Sequence, residues 1–148
     1  MSAAAEPLLP AITAENAPFF EAARRGELVV QRCPGTARLL FPPRLRSPYA
    51  PAAAEPLTWV RVSGRGTIWS FAVPHPPLLP YFAERAPYAV ILVALDEDPR
   101  VRLVGNLLPS AEGDIDAVDP AAIEIGAAVE VVFQHLDDHI ALPQWVLR

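Results

Sequence analysis

Eighteen prolines in a chain of 148 residues restrict the fold more than any other feature of the sequence. Each proline locks its own φ and lacks a backbone N–H, so helix interiors and central strand positions are closed to it. They run from Pro7 to Pro143, which excludes long helices and confines regular structure to short segments. A chain cut up in this way is expected to be mainly β, with tight turns between short strands. The size suits one hydrophobic core.

The first fifteen residues show no periodicity and are expected to form a flexible arm. Asn16 reads as a helix N-cap, and Pro18 is tolerated in the first turn, where its missing N–H costs little. Phe19, Phe20 and Ala23 form an apolar stripe. Arg24 and Arg25 suit the negative end of the helix, and Gly26 suits the position after it. From Glu27 the period changes to two, which predicts a strand ending near Cys33. A second short apolar run, Leu39 to Phe41, is stopped by Pro42 and Pro43. The stretch from Leu45 to Pro56 is rich in Pro and Ala, and reads as loop.

Strand signals are stronger beyond this point. Thr58–Val62, Thr67–Val73, Tyr88–Leu95, an alternating segment around Val101 to Leu107, and a final pair around Val129–Phe133 and His139–Leu142 predict about five antiparallel strands. These would form a sandwich or a small barrel. Ser63-Gly64-Arg65-Gly66 reads as a turn, as do Asp96–Pro99 and Asp137-Asp138.

Charge narrows the function. The twelve basic residues are all arginine, they are scattered, and the net charge is −5. No dense basic face for phosphate neutralisation is apparent, so nucleic acid is not expected as a partner. Trp69 and Phe71, two apart and read as sharing a sheet face, could stack bases, but core packing is the simpler reading. No apolar run is long enough to cross a bilayer. The first ten residues carry Glu6 and no basic residue, unlike a signal peptide, so the cytoplasm is the expected location. A single cysteine, Cys33, excludes an internal disulfide.

Few residues suggest chemistry. Cys33 lacks a Cys–His setting that would activate a thiol, and reads as a small hydrophobe. Asp137, Asp138 and His139 are neighbours on a turn and cannot converge on one atom. Arg65 between two glycines could clamp a phosphate or a partner carboxylate, with a plain turn arginine as the simpler alternative. Phe19 and Phe20, about 100° apart around a helix, would join Leu39, Leu40 and Phe41 in an apolar surface of the kind found between subunits. No catalytic residue is assigned.

Several motifs, taken in order, carry a resemblance. They are Phe19-Phe20-Glu21-Ala22, Gly26-Glu27-Leu28, Gln31-Arg32-Cys33 and Phe41-Pro42-Pro43-Arg44, followed by Val62-Ser63-Gly64-Arg65-Gly66-Thr67, Ser70, His75, Pro87-Tyr88, Leu103-Val104-Gly105-Asn106-Leu107, Gly126 and Leu142-Pro143. The chain from about residue 16 to 145 resembles the domain-of-unknown-function-35 family, the OB-fold proteins associated with acyl-CoA enzymes. The resemblance implies a short helix and a rubredoxin-like zinc ribbon over residues 16–56, then a five-stranded OB barrel over residues 57–148, after an arm at 1–15. It further implies a non-catalytic accessory subunit of a thiolase-like acyl-CoA enzyme in lipid, sterol or aromatic side-chain metabolism, with an acyl-CoA at the complex interface. His75 matches a recurring position of the family. The implied contacts to partner or acyl-CoA are Phe19, Phe20, Phe41, Arg44, Arg65 and His75.

The departure from the family lies at the metal. Where the pattern places four cysteines, this chain has Cys33, Thr36, Ser47 and Ala50. One thiolate cannot build the closed tetrahedron of structural zinc, so neither zinc nor another cofactor is expected. Two other classes make separate predictions. A free-standing acyl-CoA or small-ligand module would bind CoA thioesters alone. A single-strand nucleic-acid binder would lose affinity steeply with salt.

Overall fold

The computed structural model describes residues 3–49 and 56–148; the loop expected at Leu45–Pro56 falls partly outside the described residues. The elements are α1 (Ala17–Arg24), β1 (Val29–Arg32), β2 (Leu39–Leu40), β3 (Thr58–Arg61), β4 (Arg65–Ala72), α2 (Pro80–Ala83), β5 (Val90–Leu95), β6 (Arg102–Asn106), β7 (Ala128–His135) and β8 (Ala141–Leu147), with a 3-10 turn at Pro120–Ala122. The fold is mainly β, as expected.

Helix α1 buries Phe19, Ala22 and Ala23 and keeps its arginines outside. Gly26 adopts φ 76°, a left-handed position that a side chain would resist. The Glu27 N–H then reaches back to the Ala22 carbonyl at 3.0 Å and closes the helix. At the other end, Asn16 does not cap with its side chain. Its Oδ1 accepts the Thr13 N–H at 2.8 Å and its Nδ2 donates to the Ala11 carbonyl, so it ties the arm to the helix start. The helix rests on β1 and on β7 and β8, and so joins the two sheets.

The first sheet has strand order β2-β1-β3 and forms the ribbon. In it β3 pairs along β1 from Val29↔Arg61 to Arg32↔Thr58. The second sheet runs β6-β5-β4-β7-β8, all antiparallel. It curls until β8 meets the end of β6, where a single parallel bridge, Leu107↔Trp145, and the Leu108 N–H to the Trp145 carbonyl at 2.7 Å hold the seam. The five-stranded barrel is therefore joined at one point, without a continuous ladder. Trp145, Ile68, Ile91, Leu95, Val93 and Val129 fill its interior.

Two strand details differ from expectation. Arg65 and Gly66 belong to β4 and not to the turn before it. A β-bulge between Ile68 and Ser70 inserts Trp69 as an extra residue. Trp69 points outward, 50% exposed, as alternation from Ile68 requires, and the extra residue then turns Phe71 opposite Ile91 and onto the core. The two aromatics share no face.

Candidate functional site

The sequence-derived candidates fall into two groups in space. Phe19, Phe20 and Phe41 come together. Phe19 meets Phe20 edge-on at 5.2 Å between ring centroids and Phe41 at 5.3 Å. Phe19 is only 7% exposed, so it acts as the core of this cluster and is not itself a contact surface. Phe20 and Phe41 remain part-exposed. Arg44 is carried beside them by Gln31, whose side-chain amide donates to the Arg44 carbonyl at 2.9 Å and accepts its N–H at 2.7 Å. Phe41 and Arg44 thus line one small cleft with Tyr49 and Val101.

Arg65 and His75 lie elsewhere. Arg65 starts β4, with its N–H on Ser63 Oγ and its carbonyl accepting from Asp96. The glycines beside it serve packing: Gly64 has φ 76° and lies against Val131, and Gly66 lies against the Ala94 carbonyl. His75 is exposed in the connection between β4 and α2. Neither lines the clefts described here. The expected solvated turn is an Asp137 cap: its carboxylate accepts the N–H groups of His139 and Ile140, which lower its pKa.

Three of the four cysteine-equivalent positions fall within the described residues; Ala50 does not. Cys33 is buried at the end of β1. The nearby Ser47 and Thr36 hydroxyls, with the Thr36 and Gly35 backbone, lower its thiol pKa against the opposing effect of burial. One sulfur and two hydroxyls do not fit structural zinc. Among the described residues no cluster of His, Cys, Asp and Glu could hold a metal ion.

Sequence reasoning missed two further features. A cleft of about 490 Å³ lies where the ribbon meets the β5–β6 turn, lined by Arg32, Arg38, Arg61 and Arg100 with Glu97 and Asp98. Its arginines are distant in sequence, and the β1–β3 register, with Val29 opposite Arg61 and Arg32 opposite Thr58, sets Arg32 and Arg61 on opposite faces of one sheet. At the barrel mouth, Leu8 of the arm and Tyr81 and Phe82 of α2 cover a pocket floored by Asn106, Gln134 and Gln144. Gln144 is 4% exposed; it accepts the Asn106 N–H at 2.6 Å and donates to Gln134 at 3.0 Å. No signal short of the β6–β8 seam could have joined these amides.

Comparison with known proteins matches both halves. Residues 20–47 fit the rubredoxin-like zinc ribbon domain of ChsH2, and residues 59–134 fit the C-terminal OB-fold domain of ChsH2. A DUF35 domain-containing scaffold protein of Methanothermobacter thermautotrophicus is 32% identical over 75% of this chain and 74% of its own length. This chain belongs to the DUF35 family. A chain of the solved Ltp2–ChsH2(DUF35) aldolase is 33% identical, covers 94% of this chain and 98% of its own, and superposes with a TM-score of 0.72. A DUF35 protein of unknown function from Sulfolobus solfataricus shares the fold at 11% identity and a TM-score of 0.56. Two longer relatives are a probable enoyl-CoA hydratase alpha subunit of Thermomonospora curvata, 37% identical, and the 3-oxo-4,17-pregnadiene-20-carboxyl-CoA hydratase alpha subunit of Mycobacterium tuberculosis, 32% identical. This chain spans 38% of the length of each. Among the described residues no helix is long and apolar enough to cross a membrane.

Proposed function

We propose that this DUF35 chain is a non-catalytic accessory subunit of a thiolase-like acyl-CoA enzyme acting on lipid, sterol or aromatic side chains. The observation that carries the reading is its likeness, over nearly its whole length, to a chain of an aldolase assembly. The names of the longer relatives, subunits acting on CoA thioesters, support the same class of substrate.

The proposed division of labour follows the three segments 1–15, 16–56 and 57–148. Helix α1 and the ribbon dock on the enzyme through the part-exposed Phe20 and Phe41 and through Arg44, while Phe19 fixes them from beneath. Arg65 and His75 are proposed contacts on the barrel side. The pocket at the barrel mouth, with apolar walls and an amide floor, shapes the acyl entrance. Its amides, with only Gln144 fully buried, bond to one another, which suits a surface that positions a ligand and does not react with it.

Coexpression with a thiolase-like partner tests this directly. The two proteins should co-elute from a sizing column, Phe20→Glu should abolish co-elution, and the lone chain should show no turnover. A chain that elutes alone, or that turns over a CoA thioester unaided, would refute the reading.

A further inference from the structure

We infer that the amide-floored pocket beneath the arm binds an uncharged carbonyl at the end of a small apolar molecule, with Gln134 as the donor. This deepens the accessory-subunit reading and rests on it only for the origin of that molecule. The polarity of the floor is set by the backbone. The Asn106 N–H can only donate, so Gln144 meets it with Oε1 at 2.6 Å. Gln144 Nε2 then faces the other way, donating to Gln134 Oε1 at 3.0 Å and to Asn106 Oδ1 at 3.3 Å. Asn106 is oriented independently, since its Nδ2 donates to the Ala89 carbonyl at 2.8 Å. The relay therefore ends on Gln134 Nε2, which has no hydrogen-bond partner among the described residues. Gln134 lines the pocket, and this amide nitrogen is the donor that the floor leaves for a ligand.

The walls select the acceptor. Pro7 and Leu8 of the arm, with Phe82, Ile115, Leu136 and Leu142, are apolar, and no charged side chain lines the pocket. A carboxylate or phosphate would lose its water there with no cation to meet it, whereas a ketone oxygen gives up little and gains the Gln134 N–H. The adjoining slot shares Pro7, Leu8, Tyr81 and Phe82 with the pocket, and its one charged lining residue is Glu6, which repels an anion. Size sets the arrangement. The pocket holds about 50 Å³ and the slot about 380 Å³. Since one water needs about 10–15 Å³ on this measure, the pocket takes a carbonyl head and the slot takes the apolar body. A thioester in mid-molecule would have to fit its continuing chain into the same small pocket, so the carbonyl must end the molecule.

The full chain without any partner tests the site. The probes are methyl heptyl ketone, nonanoate and octylammonium, followed by NMR of the side-chain amides in isotope-labelled protein and by calorimetry. The ketone should move the Gln134 amide signals, with a Kd on the order of 1 mM or below, and the two ions should leave them in place. Gln134→Glu keeps the oxygen that Gln144 needs and replaces the free donor with an acceptor. It should bind the ketone at least about tenfold more weakly and octylammonium at least about tenfold more tightly. Leu8→Asp alters a side chain that is 72% exposed, so it leaves the fold alone, and it should weaken the ketone severalfold. The inference is overturned if the ketone does not move the Gln134 signals, if nonanoate binds as tightly, or if Gln134→Glu binds the ketone like wild type. Should Gln134→Glu fail to fold, the wild-type signals and Leu8→Asp decide. Phe20→Glu should bind the ketone as wild type does. Ketone binding by a chain that elutes alone would sink only the accessory reading, and co-elution without ketone binding would sink only this site.

Discussion

The ribbon and the barrel solve the same problem with different means. The barrel is held by apolar volume: Trp145, Ile91, Val93, Leu95 and Val129 are wholly buried inside one curled sheet. The ribbon has strand pairings of only a few residues and encloses no interior of its own; it buries Leu28, Val30 and Val62 against the barrel's core. It is further held by the Phe19–Phe41 contact and by the Gln31 amide gripping the Arg44 backbone. Structural zinc can supply on the order of 10 kcal/mol to a small ribbon; the described residues of this one offer packing and hydrogen bonds. The comparison teaches that a small ribbon can lean on a neighbouring core and on one side-chain grip of its backbone, where the barrel supplies its own interior.

The largest expected effect lies in the barrel. Trp145→Ala removes a fully buried side chain at the β6–β8 seam and should cost about 3–5 kcal/mol. Urea unfolding monitored by far-UV circular dichroism would show it; a loss near zero would mean that the seam is not part of the core. Next comes the ribbon. Gln31→Leu keeps the volume but strands the N–H and C=O of Arg44, at a cost of about 1–3 kcal/mol. Amide exchange should accelerate around Arg44 and stay slow in β5, and equal acceleration in both would erase the distinction between the lobes.

The smallest effect is electrostatic. The Asp98 carboxyl is held below its ordinary value of 3.8 by the Arg100 guanidinium. A depressed folded value means that the interaction contributes fully above that pH and is lost as pH falls through the folded value. Tm should therefore drop on acidification below about pH 4, and Asp98→Asn should remove part of that slope. An unchanged acid limb would show that the pair is too solvent-screened to matter.

Much of this architecture was legible in the sequence. The Phe19 stripe, Gly26 and the alternation from Glu27 located the helix and first strand because local period and turn chemistry decide them. The strand positions of β5 and β7 followed from the same signal. What escaped depended on register. The bulge at Trp69 reversed the face of Phe71, since an inserted residue leaves no mark on composition. The arginine cleft and the amide pocket were hidden because each unites residues from strands far apart in sequence. Phe19 and Phe20 were read together, and only burial showed that one supports the other.

The most direct test is hydrogen exchange across residues 29–44 before and after treatment with a strong chelator. Protection that is the same in both samples is the result expected of a ribbon standing on its own contacts. Protection that collapses on chelation, while β5 and β7 stay slow, would show that an ion still holds the knuckle and would contradict this account.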